Sequence, residues 1–194
     1  MADAAARTRM SEDEYLAFER ASDEKHEFAD GEIFAMAGGT FEHSTVAQGI
    51  GGVLRAALQG RRCTVQNSDM KVYIPSTGRY VYPDAIVVCG RPEFRDDNRD
   101  VLLNPRVVVE VLSPTSEAYD RGDKFANYRS IPSLKQYVIV SQDKPYIEVY
   151  TRQDDGAWGL RDYGAGQTAA LPAIECAIEV DQVYAGVFEQ YDDE

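Results

Sequence analysis

Two segments of the chain repeat hydrophobic residues at the spacing of a helix. The segment SEDEYLAFERA predicts a short helix, because Ser11 followed by Glu14 has the pattern of a capping box. A longer helix is predicted from about His43 to Leu58, where apolar residues recur along one face. Gly60 suits the end of that helix. The preceding MADAAARTRM, residues 1–10, predicts a loose N-terminal tail.

Most of the other hydrophobic segments have the length and the β-branched composition of strands. HEFADGEIFAM predicts two strands joined by a turn at Asp30–Gly31. Further strands are predicted at CTVQNS, MKVYI, RYVYPDAIVVC, VVVEVL, QYVIVS, YIEVYTR, WGLRDY and ECAIEV. A polar helix is expected from about Thr115 to Ser130, and a final turn near Val183. Without internal repeats, this order predicts a single α/β domain over residues 11–188, built on a mixed sheet, with an acidic tail at 189–194.

Composition agrees with one globular domain. The 194 residues are 44% hydrophobic, which allows a sizeable core. No apolar run approaches the roughly 20 residues of a membrane span, and the N-terminus lacks the apolar region of a secretory signal. Cys63, Cys89 and Cys176 are odd in number and far apart, with no C-x-x-C pair. We therefore expect neither a disulfide framework nor a zinc site, no membrane association, and a cytoplasmic location.

The charge distribution narrows the class of protein. A net charge of −13 argues against a bulk nucleic-acid binder, but it leaves room for a nucleic-acid enzyme that brings divalent cations to an acidic site. The acidic segment EFRDDNRD, residues 93–100, is expected to be a solvated loop. Between Arg121 and Lys135 the chain instead carries Arg121, Lys124, Arg129 and Lys135 against Asp123. This basic segment directly follows the strand VVVEVL.

Two carboxylates interrupt strands whose faces both look covered. Because side chains alternate along a strand, Glu110 in VVVEVL shares its face with Val108 and Leu112. Asp84 in YPDAIVVC likewise shares its face with Tyr82, Ile86 and Val88. An unpaired buried charge costs several kcal/mol or more, so each acid needs a partner. Two such acids on neighbouring strands repel each other, and a divalent cation between them would remove the repulsion. Mg²⁺ binds one or two carboxylates, several waters and phosphate oxygens, and Lys124 is the candidate cation for the reacting phosphate.

The spacing of these residues resembles a known family. YPD at 82–84, EVLSP at 110–114 and YDRGDKFANYRSIPSLKQYVIV at 119–140 resemble the Uma-two family of restriction-endonuclease-like proteins, within the PD-(D/E)XK nuclease superfamily. HEFADGEI and the helix that opens with His43 also match its N-terminal half, so that the resemblance runs from about Glu12 to Val187. It implies a restriction-endonuclease-like mixed β-sheet flanked by helices, and an endonuclease that cuts DNA phosphodiesters with Mg²⁺ or Mn²⁺.

The resemblance also implies roles for single residues. Asp84 stands where the superfamily has its metal-binding Asp, and Glu110 stands where it has its second acidic residue. The superfamily's usual Lys, two residues after that Glu, is Leu112 here. The family resemblance implies that Lys124, on the following helix, takes its place. Glu27 in HEFADGE matches an additional acidic residue that the superfamily often supplies from an early element.

Each candidate also has a structural alternative. Glu110 would then pair with an Arg or a backbone group, Asp84 would bond the turn before its strand, and Lys124 would lie on a solvated helix face. Glu27 would then be an exposed strand residue, His43 a residue at the start of a helix, and Tyr128 a part of the core packing.

At the level of function three classes remain. The preferred one is a metal-dependent nuclease with DNA as partner and with a homodimer as its expected assembly. The second is a catalytically inactive protein that keeps the nuclease fold as a binding or assembly module. A glycosidase with two carboxylates is the weakest, because both acids lie on core-like strands and no sugar-stacking aromatic cluster accompanies them.

Overall fold

The computed structural model describes residues 9–113 and 117–188 of the chain. Most of the predicted N-terminal tail, the acidic tail at 189–194, Pro114 of EVLSP and the predicted helix start at Thr115 lie outside these ranges.

The two helices predicted from hydrophobic spacing are both present. Helix α1 spans Glu12–Ala21, and Ser11 and Glu14 form the predicted capping box at its start. Helix α2 spans Phe41–Ala57, beginning two residues earlier than predicted because the Thr40 side chain accepts a hydrogen bond from the His43 backbone and caps it. The shorter helices are α3 (Glu117–Tyr119), α4 (Phe125–Tyr128) and α5 (Val180–Val183).

The strands form two large sheets and a two-stranded ribbon. In chain order they are β1 (His26–Ala29), β2 (Glu32–Ala35), β3 (Cys63–Asn67), β4 (Lys71–Ile74), β5 (Arg79–Val81), β6 (Ala85–Cys89), β7 (Val101–Leu102), β8 (Val107–Leu112), β9 (Gln136–Ser141), β10 (Tyr146–Arg152), β11 (Trp158–Gly164), β12 (Thr168–Leu171) and β13 (Cys176–Glu179). The six-stranded sheet has the order β11-β10-β9-β8-β6-β3, and the five-stranded sheet the order β2-β1-β5-β4-β7. Both are mixed, because β8 runs parallel to β9 and β4 runs parallel to β7. Strands β12 and β13 pair with each other.

The six-stranded sheet is the central sheet, and its inner strands β6, β8 and β9 are buried on both faces. Along β8, Val107, Val109 and Val111 pack with α2 and the C-terminal ribbon. Val108 and Leu112 point the other way, toward the five-stranded sheet and the segment after α4. The alternation predicted for VVVEVL is thus confirmed, and it places Glu110 on the face that meets the second sheet.

Two predicted elements differ from the structure. RYVYPDAIVVC forms two strands in different sheets, since β5 ends at Val81 and β6 begins at Ala85. Pro83 explains the interruption, because it has no backbone N–H to donate to a strand partner. The polar helix is not continuous either: a π-helical segment, Asp120–Lys124, separates α3 from α4. Strand β7 and the ribbon strand β12 were not predicted.

The expectation of no disulfide is wrong for one pair of cysteines. Cys63 on β3 and Cys89 on β6 are disulfide-bonded. They are register partners in the antiparallel β3–β6 pair, so the sheet brings together two residues that lie 26 positions apart in the sequence. Cys176 is a free thiol. Cysteine spacing gave no sign of this bridge because a cross-strand pair has no fixed sequence separation.

The acidic loop, residues 93–100, is anchored rather than freely solvated. Arg20 on α1 lies 2.7 Å from Asp96 and 2.9 Å from Asp100, and Lys71 lies 3.1 Å from Asp100. These ion pairs hold the loop against α1 and the five-stranded sheet. Within the described ranges, no helix is both long enough and apolar enough to cross a membrane.

Candidate active site

Asp84 and Glu110 lie beside each other at the junction of β6 and β8. The antiparallel register pairs Ala85 with Val109, and continuing it by one residue brings Asp84 opposite Glu110. Asp84 itself precedes the strand, and its Oδ2 accepts a hydrogen bond of 2.7 Å from the Val111 backbone N–H. Asp84 therefore bonds the neighbouring strand rather than only its own turn, and this contact fixes the direction of its carboxylate.

Glu110 is enclosed by the protein, with 3% of its surface exposed. Its Oε1 accepts a hydrogen bond of 2.8 Å from the Tyr128 hydroxyl and lies 2.9 Å from Lys124 Nζ. Among the described residues the cation that contacts Glu110 is Lys124, so the alternative in which Glu110 pairs with an Arg is wrong. Tyr128 is fully buried, so its role in core packing and its contact with the carboxylate coexist.

Lys124 reaches this carboxylate from the π-helical segment, Asp120–Lys124. Its ammonium also lies 3.4 Å from Asp120 Oδ1 and 3.8 Å from Glu27 Oε1, and only 8% of the residue is exposed. The solvated helix face considered for Lys124 is therefore wrong. Single π turns are uncommon in helices and occur frequently at functional sites. Here the π turn carries both Asp120 and Lys124 inward, although they belong to a polar sequence.

Glu27 comes to the site from the second sheet. It lies on β1, and its Oε1 accepts a 3.3 Å hydrogen bond from the Tyr82 backbone N–H as well as facing Lys124. The chain between β5 and β6, which includes Tyr82 and Asp84, thus runs between Glu27 and Glu110. Three carboxylates, from β1, β8 and the π segment, surround one ammonium group.

His43 lies on the other side of Asp84, in the first turn of α2. Its Nε2 is 3.1 Å from the Val111 carbonyl oxygen and 3.5 Å from Asp84 Oδ2. Because a carbonyl oxygen can only accept, Nε2 carries a proton when this bond forms. The hydrogen bond to Asp84 raises the pKa of His43, although burial acts in the opposite direction.

The electrostatics of the site favour an added cation. Burial raises the pKa of Glu110 to about 8, even though Lys124 opposes that shift, and the charges of Asp84 and Asp120 raise it further. Burial disfavours the charge on Lys124, but Glu110, Glu27 and Asp120 outweigh this effect, and its pKa is raised. A cation placed near Glu110 would stabilise its ionised form.

The oxygen donors fit Mg²⁺ or Mn²⁺ in chemistry. Carboxylates are the ligands that hard divalent cations prefer, and Asp84, Glu110 and Glu27 supply them from three strands or strand ends. Among the described residues, the backbone N–H of Val111 and the ring of His43 both contact Oδ2 of Asp84. In the same part of the chain no three His, Cys, Asp or Glu side chains are already arranged as a metal cage. The donors thus suit a cation held by few protein ligands and completed by water and substrate oxygens.

The site borders one of the cavities that the described residues form. Asp84 and His43 line a cavity of about 1020 Å³ between α2, β3 and the segment that follows β2. Glu110 and Lys124 are not among the residues that line it. A substrate in the cavity would therefore meet Asp84 and His43 first, with the Glu110–Lys124 pair behind them.

The predicted site residues form two connected groups. In one group Lys124 contacts Glu110 and Glu27, and Tyr128 contacts Glu110. In the other, His43 contacts Asp84, which bonds the strand that carries Glu110. Sequence reasoning missed Asp120 as a member of the site. Its spacing of four residues before Lys124 was a usable signal, but in a polar segment that spacing more often describes a solvated helix face.

Comparisons with known proteins give a consistent picture. A family model described as "Putative restriction endonuclease" (Uma2) matches residues 12–181. Two uncharacterized proteins of Synechocystis sp. are similar to this chain. One is 39% identical over 179 residues, covering 92% of this chain and 93% of its own length. The other is 33% identical over 149 residues, covering 77% of this chain and 84% of its own.

A solved structure resembles the fold over nearly its whole length. The crystal structure of a "putative nuclease belonging to DUF820" from Anabaena variabilis matches with a TM-score of 0.74, covering 92% of this chain and 99% of its own. At 14% sequence identity the likeness concerns the fold alone. It confirms the predicted α/β class with a restriction-endonuclease-like mixed sheet flanked by helices.

Proposed function

Since the chain belongs to the Uma2 family of restriction-endonuclease-like proteins, we propose that it is a divalent-metal-dependent endonuclease that hydrolyses DNA phosphodiester bonds. The observation that carries the proposal is the contact of 2.9 Å between Lys124 Nζ and Glu110 Oε1. The superfamily's usual lysine position is Leu112 in this chain, and the contact supports Lys124 as its replacement from the following helix.

In this proposal Asp84 and Glu110 hold Mg²⁺ or Mn²⁺, with Glu27 as a further oxygen donor. The bound cation would lower the pKa of a water molecule and neutralise charge that develops on the phosphate. Lys124 lies at the junction of these carboxylates, where its ammonium can orient the attacking water or stabilise the negative charge of the transition state. Tyr128 holds Glu110 through its hydroxyl, and the Val111 backbone N–H holds Asp84.

His43 positions Asp84 from the side of the cavity. Its ring bridges the Val111 carbonyl oxygen and Asp84 Oδ2, and so links the first turn of α2 to β8. This arrangement limits rotation of the Asp84 carboxylate. A preorganised ligand loses less freedom when a cation and a substrate bind.

The proposal is tested by cleavage of plasmid DNA in Mg²⁺ and in Mn²⁺. Lys124→Ala should lower the rate by a factor of about 10² to 10³, the usual effect of losing one positioned electrostatic group. The exposed Lys144, which lies over the Tyr146 ring, provides the matched control Lys144→Ala, which should cleave like the wild type. Asp84→Asn should also abolish cleavage, and it leaves the Lys124–Glu110 pair in place. Thermal unfolding of each variant shows whether a loss of activity reflects a loss of folding.

Two results would overturn the proposal in different ways. Equal cleavage by the wild type and a folded Lys124→Ala variant would remove Lys124 from the mechanism. Absence of cleavage by the wild type on every DNA tested would favour the inactive binding or assembly module, which the Leu112 departure also allows. The homodimer and the cytoplasmic location expected from the sequence stay predictions.

A further inference from the structure

The cavity beside Asp84 has a composition that differs from a duplex-binding surface. Of the described residues that line it, Lys25 and Arg55 carry a formal positive charge, and Glu24 and Asp84 offset them. Most of the other lining side chains are small or are uncharged hydrogen-bonding groups, such as Gln48. A protein that follows duplex DNA typically contacts about six to ten phosphates through Lys and Arg, which this cavity does not offer.

The wall formed by α2 has a polar stripe opposite its buried stripe. Val46, Ile50 and Leu54 point into the core. The cavity is lined from the other side of the helix by Ser44, Gln48, Gly51, Gly52 and Arg55. From His43 to Arg55 the helix rises about 18 Å, at 1.5 Å per residue. That length corresponds to about five nucleotides at the 3.4 Å spacing of stacked bases.

Two glycines in this wall have no packing explanation. A Cβ at Gly49 would approach the Val183 carbonyl oxygen to 2.2 Å, so the contact between α2 and the segment after α5 requires glycine there. A Cβ at Gly51 or Gly52 would meet nothing within 4 Å. Glycine inside a helix is less favourable than alanine by about 0.8–1.0 kcal/mol, and both residues line the cavity. Their absent side chains leave the helix backbone open to close approach by a bound chain.

The opposite wall supplies further hydrogen-bonding groups. Gln66, Asn67 and Ser68 line the cavity from the end of β3, next to the point where β6 begins at Ala85. Side-chain amides such as those of Gln48 and Gln66 pair with base edges, of which adenine is the usual partner. In duplex DNA such amides reach the major-groove edge of a base, and in an unpaired strand the Watson–Crick edge is accessible as well.

We propose that this cavity binds a single, unpaired nucleic-acid strand, with its sugar–phosphate backbone along Gly51 and Gly52, one phosphate at Arg55, and its scissile phosphate at Asp84. The inference rests on the proposed function for the position of the scissile phosphate. It goes beyond that function by naming a single-stranded segment, rather than continuous duplex, as the bound form of the substrate. The amides of Gln48 and Gln66 contact the bases.

The test measures binding in EDTA, so that cleavage plays no part. A short fluorescein-labelled single strand of mixed-sequence DNA should bind the wild type with a Kd of about 1–100 µM at moderate salt, and more tightly than the matching duplex. In EDTA the phosphate neutralised by a cationic side chain is the one at Arg55, so log K should fall with log salt at a slope of about −0.7 for the single strand. A duplex bound through six or more phosphates would give a slope of about −5 or steeper.

Two variants separate this inference from a structural role of α2. Gly51→Leu should weaken single-strand binding at least tenfold while leaving the melting temperature equal or higher, because the new side chain fills the cavity and improves helix propensity. Arg55→Ala should weaken binding and reduce the salt slope by about 0.7. Arg62→Ala is the matched control, since Arg62 is also exposed but does not line the cavity, and it should change neither quantity.

The outcomes keep this inference apart from the proposed function. Undetectable single-strand binding up to about 1 mM, a Gly51→Leu variant that binds like the wild type, or a duplex-like slope would each overturn it. Single-strand binding that Gly51→Leu abolishes, without cleavage in Mg²⁺ or Mn²⁺, would uphold the strand-binding cavity and contradict the nuclease. If Gly51→Leu cleaves DNA as well as the wild type does, the nuclease is upheld and the strand-binding cavity is contradicted.

Discussion

Glu110 is a buried acid that makes an ion pair and a hydrogen bond in addition to packing contacts. It accepts hydrogen bonds from Tyr128 and Lys124 on a single oxygen, in a layer otherwise filled by Val108, Leu112 and Ile139. An apolar residue of similar size would often be as stable at such a position. A buried Glu–Lys pair is therefore weak evidence for stability and stronger evidence for a chemical role, particularly with two further carboxylates beside the same lysine.

At the same scale, Asp100 provides a prediction on acid stability. Hydrogen bonds from Arg20 lower the pKa of Asp100 to about 2; burial opposes this effect, and Lys71 adds to it. A carboxyl whose pKa is depressed in the folded state stabilises the protein above its unfolded pKa of about 3.9, and loses that contribution as the pH falls toward the folded value. Asp100→Asn should therefore lower the free energy of unfolding near pH 7 by about 1 kcal/mol, a figure reduced for the partial exposure of the group.

Urea unfolding of the wild type and Asp100→Asn at several pH values checks this prediction. The difference between the two proteins should shrink by about half near pH 3 and vanish below about pH 2, if the fold persists there. A difference that stays constant between about pH 7 and pH 3 would mean that the Asp100 side chain stabilises the loop through something other than its charge.

At the level of elements, sequence patterns were most informative where local chemistry decides. The capping box at Ser11 and Glu14, the hairpin at Asp30–Gly31 and the alternation along β8 all depend on a few neighbouring residues, and all three predictions are confirmed. The π-helical segment and the division of RYVYPDAIVVC between two sheets depend on tertiary packing. Local propensity carries no information on either, apart from the break that Pro83 introduces.

The candidate site was predictable only as far as local sequence marks its residues. Asp84 and Glu110 are recognisable because each is a charge in an apolar segment, which a sequence displays directly. Their relative position depends on the β6–β8 register, and the approach of Glu27 depends on how the second sheet packs against the first. Asp120 and Lys124 belong to a polar segment, whose inward face becomes visible only when the π turn is in place.

The Cys63–Cys89 disulfide between β3 and β6 leads to a prediction about stability. Strand β3 is the edge strand of its sheet, and it contributes Gln66 and Asn67 to the cavity. The Cys63–Cys89 bond closes a loop over a separation of 26 residues, for which the chain-entropy estimate is about 3.5 kcal/mol. Cys63→Ser should lower the free energy of unfolding by about 2–4 kcal/mol under oxidising conditions.

Chemical denaturation with and without dithiothreitol measures this effect. The reductant should shift the wild-type unfolding midpoint toward that of Cys63→Ser and leave the variant unchanged. If dithiothreitol moves neither protein although thiol titration shows that the wild-type bridge is reduced, the bond contributes no stability.

On the scale of the whole molecule, the site is where three layers meet. Helix α2 contributes His43, the central sheet contributes Asp84 and Glu110, and the second sheet contributes Glu27. Acidic side chains from separate layers repel one another unless a cation lies between them. Lys124 supplies one such charge, and the site remains acidic around it. In the proposed function, the free energy of closing these layers on each other is therefore coupled to cation binding.

This coupling leads to the prediction that Mn²⁺ or Mg²⁺ stabilises the whole domain. A cation that binds the folded form at ten times its Kd adds about 1.4 kcal/mol to the free energy of unfolding, which for a chain of this size raises the melting temperature by about 3–6 °C. Asp84→Asn should stay folded, because the asparagine oxygen can still accept from the Val111 N–H, and its melting temperature without metal should equal or exceed that of the wild type. The variant should lose the metal-dependent rise. The measurement is thermal unfolding of both proteins in EDTA and across a titration of each metal, with K⁺ at matched ionic strength as the control. A rise of the same size in both proteins would place the cation elsewhere, and a marked loss of stability in Asp84→Asn without metal would favour the structural role of Asp84 over the metal site.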